Sequence, residues 1–230
     1  QNNSLIWFDY DTKLYDFLNN RIEKYILDDL ELVTAKAKSS NIFILTIDIK
    51  CPFELESQDK FHESFEDYLS YKFKKQGGTS SNEEFDDRYK YMIQDILANF
   101  IEEKQKFSDI KFHKICSFCY RDKAEMYTLA GIYDTEEHYK IISNELRASP
   151  FYNESLDHIY DIDVPILTYK EKTYLDSNIK MLSDLFSNGK GEEVLRKELR
   201  KLEFEIDSPE MLKKYVEYYR YYPQYYEGIL

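Results

Sequence analysis

Residues 41–54 read Asn-Ile-Phe-Ile-Leu-Thr-Ile-Asp-Ile-Lys-Cys-Pro-Phe-Glu, and this run constrains the fold more than any other stretch. It is rich in β-branched and aromatic side chains and is bounded by Ser39-Ser40 and Pro52, the pattern of a strand. Successive side chains of a strand point to opposite sheet faces. Phe43, Leu45, Ile47 and Ile49 therefore share one face, which is predicted to be core. Ile44, Thr46, Asp48 and Lys50 share the other.

The rest of the chain reads mainly as helices. Leu5–Phe8 is a short apolar segment that has to pack somewhere. From a cap at Asp11, the residues Leu14, Leu18, Ile22, Tyr25, Ile26, Leu30 and Val33 recur at spacings of three and four, predicting a helix that ends near Ser39. A second helix is expected over 57–75, with Phe61, Phe65, Tyr68, Leu69 and Phe73 on one face. Gln76-Gly77-Gly78-Thr79-Ser80 is the clearest loop. Ser81 and Glu84 form a capping box for a helix carrying Phe85, Tyr89, Met92, Ile93, Ile96, Leu97, Phe100 and Ile101. Strands near 109–120 and 125–133, joined at Arg121-Asp122-Lys123, predict a hairpin.

Asp134 with Glu137 repeats the capping-box spacing, and Ser149-Pro150 stops that helix. Pro165 confines a strand over Ile162–Tyr169 to a sheet edge. Helices are expected over 174–187, 192–202 and from Ser208-Pro209 onward. The expectation is a single α+β domain over 1–230. Its helices pack on a small, mainly antiparallel sheet with strands near 42–50, 109–120 and 125–133, and the C-terminal third is helical. Gln76–Ser81 is the place where such a chain would subdivide.

Charge and motifs narrow the functional classes. The net charge of −13 repels a nucleic-acid backbone and suits a basic protein partner. No run of about 18 apolar residues exists, so no membrane span is expected. Three cysteines form no disulfide framework. Cys116 and Cys119 fall on a predicted strand, where positions three apart face opposite sides, so they read as structural thiols in a reducing, cytoplasmic setting. His62, His113, His138 and His158 lack the spacing of a zinc motif. Neither Gly77-Gly78 nor Gly189-Lys190-Gly191 has the surroundings of a phosphate loop.

Two constellations remain. Asp48 and Lys50, with Glu54 as a further ligand, have the spacing of Mg²⁺-dependent nucleases of the PD-(D/E)xK type, in which the acid binds the metal and the lysine stabilises charge on phosphate. The earlier acid such a site needs has only Asp28 and Asp29 as candidates, and both fall on a predicted helix. The second is the tyrosine-rich terminus, Tyr218, Tyr219, Arg220, Tyr221, Tyr222, Tyr225 and Tyr226. Tyr and Arg anchor interfaces because they bury a large area at little entropic cost. The leading expectation is an acidic protein-binding module, an immunity- or inhibitor-like protein that blocks a basic partner and needs neither metal nor cofactor. The alternative is the nuclease, with Mg²⁺ as its cofactor.

Overall fold

The strand predicted at 42–50 is β4 (Asn41–Asp48), and it lies inside a five-stranded sheet rather than at its edge. A computed structural model describes residues 4–16, 18–19, 21–50, 55–73, 82–121, 124–149, 151–162, 169–188 and 209–219. On one side of β4 runs β1 (Leu5–Lys13), in parallel, with Leu5 opposite Ile42 and Phe8 opposite Leu45. Between them come a small hairpin of β2 (Tyr15–Asp16) and β3 (Arg21–Ile22), then helix α1 (Lys24–Lys36). On the other side lie the strands of the predicted hairpin, β5 (Lys111–Arg121) and β6 (Glu125–Asp134). β6 pairs antiparallel with both β4 and β5, and β7 (Tyr160–Ile162) completes the order β1-β4-β6-β5-β7.

The sheet is therefore mixed, which corrects the expectation of a mainly antiparallel one. Parallel strands need a crossover connection, and α1 supplies it. Leu5–Phe8 belongs to β1, where Ile6, Phe8 and Tyr10 pack against the core while Leu5, Trp7 and Asp9 stay exposed. The helix expected from Asp11 begins only at Lys24. Before it, the Asp16 carboxylate accepts the N–H groups of Leu18 (3.0 Å) and Asn19 (3.3 Å), a local turn that competes with helix formation. Leu18, placed on a helix face by its spacing, is exposed at that turn.

Helices are also spread along the chain rather than gathered at its C-terminal end. They include α2 (Leu55–Ser64), α3 (Asn82–Lys104) and α4 (Glu136–Leu146). α2 is shorter than the helix expected over 57–75, yet Phe61, Phe65, Leu69 and Phe73 are all buried. Thr135, not Asp134, caps α4 by accepting the His138 N–H. Asp134 is thereby free to serve elsewhere.

The predicted face of β4 is core. Phe43, Leu45, Ile47 and Ile49 are buried in one cluster with α1 (Ile26, Leu30) and α3 (Tyr89, Ile93, Leu97). Across the strand pair, Gly131 of β6 sits directly over a ring. A Cβ there would lie 2.3 Å from Phe112 and 2.6 Å from the His113 carbonyl. Gly131→Ala should therefore cost about 1–3 kcal/mol through overpacking, read as a lower urea midpoint with an unchanged m-value. A loss below about 0.5 kcal/mol would show that Phe112 can move away freely.

The chain divides into two compact units, 1–161 and 162–230. In the second, α5 (Tyr169–Ser177), α6 (Ile179–Ser187) and α7 (Pro209–Tyr218) bury Leu175, Leu182, Leu212 and Tyr215. The Tyr215 hydroxyl donates to Asp176 at 2.5 Å. The loop at 76–81, the strand tail at 163–168 and the helix expected over 192–202 lie outside the described residues. Among those described, no helix is long and apolar enough to cross a membrane.

Candidate active site

A cavity of about 520 Å³ opens where the last turn of α3 meets the start of β5, bordered by the first turn of α4 and the 154–156 segment. The corner is built by polar capping. Gln105 follows α3 and accepts the Phe112 N–H on its side-chain oxygen at 2.7 Å. The Lys111 ammonium donates to the carbonyls of Gln105 (2.7 Å) and Lys106 (3.3 Å), just past the helix end, where carbonyls lack an intrahelical partner; the Gln105 carbonyl also accepts the Ser108 N–H at 2.9 Å.

His113 and Lys114 are adjacent on β5 and so project to opposite faces. The His113 ring stacks on Tyr139 of α4, with centroids 3.9 Å apart and planes 10° apart. Its Nε2 lies 3.2 Å from the Asp134 carbonyl oxygen. A carbonyl only accepts, so Nε2 is the donor, and the neutral ring carries its lone pair on Nδ1. Among the described residues, no protein group takes that Nδ1. The Tyr139 hydroxyl lies 3.2 Å from both Tyr152 Oη and Glu154 Oε1, and 3.4 Å from the Lys114 carbonyl. Burial, then the neighbouring Glu154 carboxylate, pushes the Tyr139 phenol well above its ordinary range, so it stays a proton donor.

Asp134 holds this corner from behind. Its fully buried carboxylate accepts from Ser39 Oγ (2.6 Å), the Thr135 N–H (2.8 Å) and His138 Nδ1 (2.6 Å). Burial alone would raise its pKa, but the hydrogen bonds from Ser39, His138 and Thr135 outweigh burial and hold it below the usual carboxylate range. Ser40, the other hydroxyl near this carboxylate, has φ 66°, a left-handed conformation uncommon outside glycine.

The 153–158 segment is tied down by buried polar groups. Asn153 N–H donates to the Ile115 carbonyl at 2.7 Å, and Gln94 to the Leu156 carbonyl at 2.7 Å. Gln94 in turn accepts from Ser117 (2.5 Å) and Tyr127 (2.9 Å). Lys114 is only 7% exposed and donates to the carbonyls of Ser155 (2.5 Å) and His158 (3.1 Å).

The residues singled out from sequence lie elsewhere. Asp48 ends β4, and its carboxylate accepts the Lys50 N–H at 2.7 Å, a local turn. Lys50 is exposed, and Glu54 lies outside the described residues. Asp29 of α1 accepts the Tyr10 hydroxyl at 2.6 Å instead of joining Asp48. Among the described residues, no group of three or more His, Cys, Asp or Glu could hold a metal. Tyr219 packs against the core of the second unit. Tyr218 is described only as helical backbone, and Arg220, Tyr221, Tyr222, Tyr225 and Tyr226 lie outside the described residues. Cys119 is buried and Cys116 half-buried, both free thiols. Burial pushes the Cys119 thiol up to about 12.

The cavity residues were missed because they belong to no motif. His113, Tyr139 and Glu154 are spread over three elements and converge only in space. The signal available was the His113-Lys114 pair inside a strand, where one of the two charged or polar side chains has to face the core.

The mixed sheet and its helices frame a cavity that offers an imidazole, carboxylates and ammonium groups. The chain belongs to the family described as "Putative O-methyltransferase", whose model matches residues 1–230. No curated protein and no solved structure matches the chain. The family membership points to an enzyme and overturns the inhibitor-like, protein-binding expectation. It also displaces the nuclease alternative, since it names methyl transfer and not phosphodiester cleavage.

Methyl transfer to oxygen needs an activated donor, biologically the sulfonium S-adenosylmethionine. The donor set of the cavity fits such a zwitterionic ligand. Glu102, Glu136 and Glu154 could hold an ammonium or ribose hydroxyls, Lys114 a carboxylate, and Phe112 and Leu129 the base. The frame differs from a doubly wound parallel sheet, since β4, β6 and β5 run antiparallel and β1 is followed by a hairpin rather than a glycine-rich turn into a helix.

Proposed function

We propose that this chain transfers a methyl group to an oxygen atom of a small acceptor bound in the cavity between α3, β5 and α4. The observation that carries the reading is the family match over residues 1–230. The cavity supplies groups that suit the chemistry. When bound, the sulfonium donor supplies an electrophilic methyl group.

A hydroxyl is a weak nucleophile until its proton leaves, so the protein's task is to take that proton and align the oxygen. His113 Nδ1 accepts the proton. The hydrogen bond from Nε2 to the Asp134 carbonyl keeps the lone pair on that atom, and the Tyr139 stack holds the ring plane. The Tyr139 hydroxyl, kept protonated, is directed toward Glu154 and orients that carboxylate in the cavity wall. The pinned 153–158 segment limits water on one side. Free Cys116 and Cys119 support a reducing, cytoplasmic setting.

The test is transfer of tritium from methyl-labelled S-adenosylmethionine to a panel of phenols, catechols and carboxylic acids, with products identified by mass. Labelled methyl ether or ester is expected. Label found only on nitrogen, or on no acceptor while the donor fails to bind, would overturn the reading.

A further inference from the structure

Lys114 is the one buried lysine or arginine among the described residues. It is only 7% exposed, and it lines the cavity. Its ammonium has three donors. Two go to main-chain carbonyls, those of Ser155 and His158. Carbonyls satisfy hydrogen bonds but bring no negative charge. The titratable groups sharing the cavity are Glu102 of α3, Lys106 just after it, Lys111 and His113 of β5, Glu136 and Tyr139 of α4, and Glu154 of the 153–158 segment; none forms an ion pair with Lys114 among the described residues. The remaining titratable neighbour is Cys116 on the same strand. One donor and one full charge are thus left without a partner in a desolvated place, where an isolated cation is costly. Burial accordingly pulls the Lys114 ammonium down to about 8.

The geometry points to Lys114 as a carboxylate-recognition residue, whose third N–H and charge are completed by the carboxylate of a bound ligand. This rests on the methyl-transfer reading for the identity of the ligands. Two sources have the same chemistry, the amino-acid end of the methyl donor and a carboxylate on the acceptor.

A carboxylate beside Lys114 favours its charged form and raises its pKa. Binding should therefore take up a proton near pH 8, about half a proton per site, and none near pH 6, where the lysine is already charged. Isothermal titration in two buffers of different ionisation enthalpy measures this with the whole chain. The four probes are S-adenosylhomocysteine, 5′-methylthioadenosine (which lacks the carboxylate), 4-hydroxybenzoate and 4-hydroxybenzyl alcohol. Uptake with S-adenosylhomocysteine but not methylthioadenosine supports the site and assigns it to the donor. Uptake with 4-hydroxybenzoate but not the alcohol supports it and assigns it to the acceptor.

In Lys114→Met the uptake should vanish, and the carboxylate probe should bind about 10- to 100-fold more weakly. If that variant does not fold, the wild-type uptake decides alone. Binding of the two nucleosides with no uptake from either carboxylate probe overturns the carboxylate site and leaves the methyl-transfer reading standing. Uptake with 4-hydroxybenzoate while neither nucleoside binds supports the site and overturns the reading. Failure of all four to bind overturns both.

Discussion

Phe43→Ala should destabilise the first unit by about 3–5 kcal/mol, the largest loss expected from any single truncation in β4. Phe43 is fully buried. Its ring meets Phe8 of β1 at 5.9 Å, and Phe112 of β5 and Tyr133 of β6 both at 6.1 Å, all near edge-to-face. Truncation removes ring contacts reaching three other strands, so little of the cavity can close by a local shift. Chemical unfolding should show a lower midpoint at nearly constant m. Ile42→Ala, one residue away on a 43% exposed side chain, is the control and should cost far less. Equal losses at the two positions would refute the assignment of the two faces.

His113→Gln should lower kcat for methyl transfer to a hydroxyl acceptor by about 10²- to 10⁴-fold, the range a positioned general base contributes. Glutamine keeps an N–H able to reach the Asp134 carbonyl but has no basic nitrogen, so packing changes little while proton acceptance is lost. The effect should fall on kcat, with binding of S-adenosylhomocysteine held within about threefold, because the lost interaction belongs to the transition state. Independently of turnover, nitrogen-15 spectra of the free protein should show the His113 ring protonated at Nε2 and bare at Nδ1. An Nδ1–H tautomer, or a variant with full kcat, would remove His113 from the reaction.

Much of the fold was legible because it follows from local pattern. The alternation of Phe43, Leu45, Ile47 and Ile49 placed β4 and its buried face. The periodicity from Phe85 to Ile101 marked α3, and the apolar runs on either side of Arg121-Asp122-Lys123 marked the β5–β6 hairpin. The N-terminal region misled for a physical reason. Leu14, Leu18 and Ile22 repeat at helical spacing, but the Asp16 carboxylate stabilises a turn between β2 and β3, and Leu18 ends at its exposed tip. Side-chain hydrogen bonding to the backbone won over periodicity there. At α4, Asp134 had the spacing of a cap, yet its carboxylate is drawn to Ser39 and His138, and Thr135 caps instead.

The candidate site was hardly legible at all. Asp48 and Lys50 stood out because they are two residues apart, yet Asp48 does no more than accept the Lys50 amide. His113 was noted only for lacking a metal-binding partner at helical spacing. Its tautomer depends on a carbonyl 21 residues away, and its ring orientation on Tyr139, 26 residues away by the difference of their numbers.

The amino-acid sequence by itself determined β4, α3 and the β5–β6 hairpin, where the spacing of apolar residues decides which face is buried. It also determined the acidic balance of −13. Only the tertiary structure decided that β1 pairs parallel with β4, making the sheet mixed, because strand pairing is a choice among distant partners that periodicity does not encode. It alone brought His113, Lys114, Tyr139 and Glu154 to one cavity. Convergence of that kind depends on how α3, α4 and the 153–158 segment pack around β5, and each residue taken alone carries no trace of it.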